Sequence, residues 1–381
     1  MDQGTINLSI ELDPERQKRA KQYARIKRRL MLLDLSISGF YLLAWLLLGW
    51  SKALQDWLLQ YTTNDWLLVA FFVIIFGGIL FIINLPLSYY QGYILPHRFD
   101  ISNQKLSTWI MDELKGILVG GVIGMIVLET VYAILRAYPI TWWLWAAAIL
   151  LIFNVILANI APTLIMPLFN KFVPLGEEHA ELAERLMSLA KRSGTYVRGV
   201  FKFDMSKRTK QANAGLTGLG NTRRIILGDT LITQFTTDEI ETVMAHELGH
   251  QVNKDIPFGI LFGSFITLMG LFLASVGLNW GVTYFNFESV ADIAAFPLFV
   301  LVLGLFGLAT MPLENGFSRW RERRADVYAL TLTHNGKAYA SALKRLANQN
   351  LADAEPEAWV EWLLYSHPAL GKRIALAERE G

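Results

Sequence analysis

Six long apolar runs constrain this chain more than anything else in it. They lie near Leu33–Trp50, Trp66–Leu87, Gly116–Leu135, Trp142–Met166, Pro257–Trp280 and Ala294–Leu313. About 20 helical residues cross about 30 Å of hydrocarbon, and a helix satisfies its own backbone polar groups there. Runs of this length therefore read as transmembrane helices. Composition agrees: 53% of residues are hydrophobic and 18% charged, where a soluble domain carries roughly a quarter charged. A re-entrant segment near Pro86–Pro96 would add a seventh span.

Charge placement predicts the orientation. Eight Lys or Arg stand between Arg16 and Arg29, and basic residues beside a first span stay in the cytoplasm. No small-residue cleavage site follows, so the first run reads as a retained anchor. Outer loops at 51–65, 136–141 and 281–293 then hold only Lys52 and Arg136. The expected organisation is a basic cytoplasmic arm (1–30), four spans (31–166), a cytoplasmic catalytic segment (167–256), two spans (257–313) and a cytoplasmic C-terminal segment (314–381). Gly116, Gly120 and Gly124 form a small-residue stripe suited to close helix packing. Glu129 lies in the same run; an acid there is expected to face a polar interior, or to sit near a helix end.

The soluble segments carry the chemistry. EEHAELAERLMSLAKRSG reads as an amphipathic helix closed by Gly194. TYVRGVFKFD and TRRIILGDT read as strands, with turn-rich KRTKQANAGLTG between them. Thr236 and Glu239 form a capping box for the helix that carries MAHELGH. On that helix His246 and His250, at i and i+4, share a face and can grip one Zn²⁺, with Glu247 as general base. The bland alternative is two surface histidines in a chain that has only six. There is no Cys, which excludes disulfides, thiolate-ligated zinc and a thiol nucleophile. A third ligand must come from further on. Glu322 in SRWRERRAD is the best candidate, unless it is one member of a surface charge cluster with Arg321, Arg323 and Arg324. Asp326, one turn later, could accept the outer N–H of a ligating His. His367 and Arg373 stand out in YSHPALGKR, which otherwise reads as the start of a surface helix with Pro368 in its first turn. The net charge of +2 gives no sign of a nucleic-acid surface.

HELGH, SRWRERRAD and YSHPALGKR, in this order among membrane spans, resemble the integral-membrane CAAX prenyl protease type 1 family of zinc metallopeptidases. IMPLFNKFVPL and SKRTKQANAGLTGLGNTRRIILGDTLI agree with it. The resemblance covers roughly Ala161 to Ala377 by motif and the earlier spans by pattern. It implies an all-α polytopic membrane protein, with six or seven transmembrane helices around a water-filled chamber and a cytoplasmic α+β zinc-metallopeptidase domain. It implies His246, His250 and Glu322 as ligands of one Zn²⁺, Glu247 as base and Asp326 as support. By the same resemblance Asn213 is an edge-strand residue that holds an extended substrate, and His367 and Arg373 face the scissile peptide. Glu129 would line the chamber. The implied partners are the lipid bilayer and a peptide or protein substrate, prenylated or membrane-associated. The chain lacks Cys, the long insertion that eukaryotic members carry before HELGH, and an evident ER retrieval signal. These departures favour a prokaryotic member in the cell membrane, with its active site and both termini cytoplasmic, that cleaves membrane-associated or misfolded proteins. Two other readings are a heat-shock-type membrane metallopeptidase, which the YSHPALGKR ending and the long first half disfavour, and a scaffold or transporter in which HELGH is structural.

Overall fold

A computed structural model of the chain describes residues 10–218 and 220–380; the first nine residues of the basic arm lie outside the described residues. Helix α1 (Pro14–Leu47) starts at Asp13, whose carboxylate accepts the backbone N–H groups of Glu15 and Arg16. The described part of the basic stretch and the first apolar run thus form one continuous helix. A short α2 (Trp50–Leu59) precedes α3 (Asp65–Arg98), α4 (Leu106–Ala137) and α5 (Trp142–Phe169). The polar segment contributes α6 (Ala180–Arg192) and α7 (Thr237–Val252). Then come α8 (Asp255–Tyr284), α9 (Phe296–Thr333), α10 (Gly336–Gln349), α11 (Ala358–Leu364) and α12 (Leu370–Arg379).

Among the described residues six helices are long and apolar enough to cross a membrane: α1, α3, α4, α5, α8 and α9. The segment Pro86–Pro96 makes no seventh span, because it lies inside α3. A wider π turn at Tyr90–Ile94 ends two residues before Pro96, and another at Ala161–Ile165, which includes Pro162, ends two residues before Pro167. A proline ring crowds the carbonyl four residues before it and lacks an N–H. One extra residue per turn relieves that clash without ending the helix.

The six spans pack as a closed ring in the order α1–α3–α4–α5–α8–α9, and α9 returns to α1. One end of the ring is solid. Trp45, Phe72, Leu135, Trp142, Leu278 and Leu298 belong to a continuous buried core there, and the Tyr41 hydroxyl donates to the Phe76 carbonyl at 2.6 Å. Further along, packing stops. On α5 only Trp142 and Ala146 are buried, and on α4 nothing between Trp109 and Val131. In a filled bundle each helix would bury a stripe along its whole length. The middle of the ring is therefore open. Glu129 sits next to the sealed end, where Leu128 joins the core, and its Oε2 is buried with no partner among the described residues.

The glycines that bring spans together are not those on α4. A Cβ at Gly116, Gly120 or Gly124 would meet nothing within 4 Å. On α8, a Cβ at Gly281 would stand 2.2 Å from Leu298 and one at Gly270 2.9 Å from Phe306. The close helix pair is α8–α9, while the α4 stripe faces open space.

Over the other end lies a second core. Strands β1 (Phe172–Pro174), β2 (Val200–Phe203), β3 (Ala214–Thr217) and β4 (Arg224–Gly228) form a sheet in the order β1-β2-β4-β3. The β2–β4 pair is parallel and the others antiparallel. β2 and β4 fall in the two runs that read as strands; β1 lies in a stretch that did not, and β3 in one that reads as turn-rich by its residues, where only the resemblance put an edge strand at Asn213. Leu189 of α6, Ile225 and Leu227 of β4, Met244 and Leu248 of α7 and Tyr339 of α10 share this core. The start of α1 docks here too, with the Asp13 N–H on Asn348 at 3.0 Å. The first described helix and the C-terminal segment thus lie on the same side as α7.

The wholly buried Glu239 ties α7 to α10. It closes the expected capping box with Thr236 and accepts from Ser341 Oγ at 2.6 Å and Arg345 Nε at 3.1 Å. Glu239→Ala removes the helix cap and strands the Arg345 charge, at an expected cost of about 3–5 kcal/mol. Thermal unfolding of the detergent-solubilised chain should drop by several degrees. Glu357→Ala, which loses only the half-exposed pair with Arg28, should move it little.

Candidate metal centre

The metal helix α7 is placed by backbone contact with α9. A Cβ at Gly249 would come within 3.0 Å of Ala325 Cα and 3.2 Å of its carbonyl oxygen. Only glycine permits so close a crossing. One turn back along α9 from that crossing, Glu322 reaches both histidines. His246 Nε2 and Glu322 Oε2 are 3.2 Å apart, the two Nε2 atoms 3.2 Å, and His250 Nε2 and Glu322 Oε1 3.4 Å. Donors about 2.0–2.1 Å from a common tetrahedral centre stand about 3.3–3.4 Å from one another. The two histidine nitrogens match that spacing, each stands 3.2–3.4 Å from a different Glu322 oxygen, and one donor atom of each side chain lies within 4.8 Å of the others, so the three can converge on one ion. Glu322 Oε2 is buried and makes no hydrogen bond despite its nearness to the ring nitrogen.

The outer nitrogens are held in turn. His250 Nδ1 lies 2.7 Å from Asp255 Oδ2 and His246 Nδ1 2.9 Å from Asp326 Oδ1. Each Nδ1–H donates to a carboxylate, which leaves both Nε2 lone pairs for the ion. Asp326 also accepts from the Tyr339 hydroxyl at 2.5 Å and from Arg373 Nη2 at 2.6 Å and Nε at 2.9 Å. Without a metal, burial pulls the His246 pKa down, but Asp326 and Glu322 outweigh it and raise it to about 9. Burial raises Glu247 above an ordinary glutamate, against the pull of the two histidines. Burial lowers His367, opposed by Glu322.

His246, Glu247, His250, Glu322 and Asp326 thus come together as the spacing suggests. Glu247 lies beside the sheet: a Cβ on Gly215 of β3 would be 4.0 Å from its Oε2. Asn213 is exposed at the entry to β3, which is an outer strand. His367 stands on the open side, with Nε2 3.3 Å from Glu322 Oε1. Arg373 is placed differently from the expectation that it faces a peptide. Its guanidinium lies on the Nδ1 side of His246, committed to Asp326 and Tyr339. Asp255 and Tyr339 were not anticipated. Asp255 could have been found from its place five residues after His250, where one short turn returns the chain to the ring. Nothing local marks Tyr339.

The centre opens into the ring. A cavity of about 590 Å³ is lined by His250 and Glu322 together with Asn154 of α5 and Ser264 and Thr267 of α8. Polar side chains at span depth are expensive towards lipid, and these line a cavity instead.

Two substitutions test the support of the rings. Asp326→Asn and Asp255→Asn should each weaken metal binding about 10–100-fold with the three donors intact, as read by competition with a chelating dye. The raised His246 also sets a pH dependence. Below about pH 9 its ring holds a proton that an entering ion must displace, so apparent affinity should rise by about tenfold per pH unit between pH 7 and 9. A flat profile would contradict this.

Residues 6–171 match a family model described as "CAAX prenyl protease N-terminal, five membrane helices". In the described part of that stretch the chain has four membrane-capable helices and the short α2. Residues 177–380 match the model of peptidase family M48. The chain is 29% identical to the Bacillus subtilis protein named "Uncharacterized metalloprotease YhfN" over 365 residues, 95% of this chain and 85% of that one. It is 31% identical to CAAX prenyl protease 1 of Saccharomyces cerevisiae over 312 residues, 77% of this chain and 68% of that one. The crystal structure of S. mikatae Ste24p superposes with a TM-score of 0.83 at 26% identity, covering 97% of this chain and 90% of that one. Half of the sequence matched by the peptidase model, a shared fold along nearly all of the chain, and a cluster of donors able to hold an ion lead to one conclusion: this protein belongs to peptidase family M48, as an integral-membrane metalloprotease of the CAAX prenyl protease type.

Proposed function

We propose that the ion is a single zinc held by His246, His250 and Glu322, and that the chain hydrolyses peptide bonds in membrane-associated or misfolded proteins at the cytoplasmic face. The observation that carries this reading is the group His246, His250 and Glu322, with one donor atom of each within 4.8 Å of the others, at the mouth of an open ring. A Cys-free chain has imidazole and carboxylate to offer, a donor set that suits zinc. Bound there, zinc would supply Lewis-acid polarisation of the scissile carbonyl and lower the pKa of water.

The rest is done by the chain. An extended substrate adds to the free edge of β3 near Asn213, held by main-chain hydrogen bonds that tolerate many sequences. Glu247, beside that strand, takes the proton of the attacking water and delivers it to the departing amine. His367, on the open side, is the side chain available to the developing oxyanion. Arg373 acts through Asp326: with Tyr339 it fixes the carboxylate that orients His246. The ring gives a partly unfolded segment a polar route to the centre, and basic flanks on that side favour a cytoplasmic orientation. The absence of an insertion before HELGH favours a prokaryotic member.

Glu247→Gln should retain the metal and lose about 10²–10⁴-fold in kcat/KM. Cleavage of casein and of a farnesylated CAAX peptide, with elemental analysis of the same preparation, reads both quantities. Full activity in this variant would exclude Glu247 as the base. Cleavage of the farnesylated peptide alone would overturn the broad substrate assignment.

A further inference from the structure

A cavity of about 1020 Å³ shares no lining residue with the metal centre. It forms where the start of α4 and the end of α5 meet β1 and the turn after β2. Lys105, Lys171, Lys207, Arg208 and Arg224 line it, and Asp204 is the one acidic residue in its wall. Three of the cations have partners. Lys207 pairs with Asp204 at 2.6 Å and Arg208 with Asp112 at 2.7 Å. Arg224 donates to the Pro162 carbonyl at 2.7 Å and lies over the rings of Phe172 and Phe201. The exposed ammonium groups of Lys105 and Lys171 have no hydrogen-bond or ion-pair partner among the described residues. The concavity is thus built with positive charge to spare.

Its depth is set by the spans. The apolar run of α5 ends at Met166, and the neighbouring Leu168 lines the cavity. On α5 the exposed residues Ile152, Ile156, Ile160, Leu164 and Leu168 recur every four positions from the span down to the cavity wall. Asn154 and Ala158, which line the cavity at the metal centre, lie on the opposite side of α5 from Ile152, Ile156 and Ile160, so this stripe faces outward. An oily track from the bilayer therefore ends in a basic pocket at headgroup level. A free anion would use the pocket and leave the track unexplained; a lipid uses both.

We propose that this cavity holds the phosphate headgroup of an anionic phospholipid whose acyl chains lie along the exposed stripe of α5. Lys105 and Lys171 supply the uncommitted charge. The already paired arginines shape the wall, and the first turn of α4 at Thr108 faces the site. The site is independent of the metal and of proteolysis.

The test is native mass spectrometry of the full chain in detergent, titrated with phosphatidylglycerol, phosphatidylcholine or inorganic phosphate. Phosphatidylglycerol should be retained in preference to phosphatidylcholine. The double variant Lys105→Gln, Lys171→Gln should weaken it about 30-fold, the effect of losing two cations beside an anionic headgroup. Lys105→Arg, Lys171→Arg should retain it, as should the distant exposed control Lys18→Gln, Lys337→Gln. Thermal midpoints of all variants should match, since these side chains carry no packing. Equal retention of the two lipids, or a preference that survives the double Gln variant, would overturn the proposal. So would phosphate that displaces phosphatidylglycerol at millimolar concentration, which would make the pocket a site for free anions.

Discussion

Gly249 against Ala325 is the contact on which the rest of the molecule depends. Two histidines come from a helix in the polar layer, and the carboxylate comes from the end of a membrane span. They meet because two helix backbones touch, with a Cβ at Gly249 only 3.0 Å from the neighbouring Cα. Any larger side chain would push α7 from α9 by tenths of an ångström or more. Donor positions that must agree to a few tenths of an ångström could not absorb that. The crossing is clamped on both sides: Arg324 donates to Asn253 at 2.9 Å and Arg321 to the Asp255 carbonyl at 3.1 Å. The same clamps position Asp255 on His250. Basic residues that look like a surface cluster in the sequence thus hold the turn between the metal helix and the next span.

The spans solve a different problem. A ring with a solid end and an open middle keeps polar side chains at membrane depth without presenting them to lipid. The cost is lost packing in the middle of every span. The aromatic-rich core at the sealed end offsets it, with Trp45, Phe72 and Phe76 in mutual contact. The close α8–α9 pair, adjoining the metal helix, stiffens the part of the ring that carries Glu322.

Much of this was legible in the sequence, for physical reasons that differ by feature. The spans follow from length and hydropathy; their number stayed between six and seven, because no local signal shows that a π turn carries α3 past Pro96. His246, His250 and Glu322 could be read because the donor set has few alternatives in a chain without Cys. The Thr236–Glu239 cap could be read because it is local. What is set by tertiary placement could not. β3 hides in a Gly- and Asn-rich stretch whose strand character comes from pairing with β4. Tyr339 meets Asp326 only through the docking of α10. Arg373 was aimed at the peptide, but a buried guanidinium beside a buried carboxylate is drawn to it. The glycine stripe on α4 failed as a packing signal because small residues also suit a wall that faces open space.

Zinc K-edge X-ray absorption on the purified chain is the most direct measurement of the central claim. One zinc per chain is expected, with nitrogen and oxygen neighbours at about 2.0–2.1 Å, the scattering of two imidazoles and no sulfur; Glu322→Ala should remove one oxygen neighbour and most of the bound metal. Protein that folds and cleaves peptide without stoichiometric metal, or a spectrum that Glu322→Ala leaves unchanged, would contradict it.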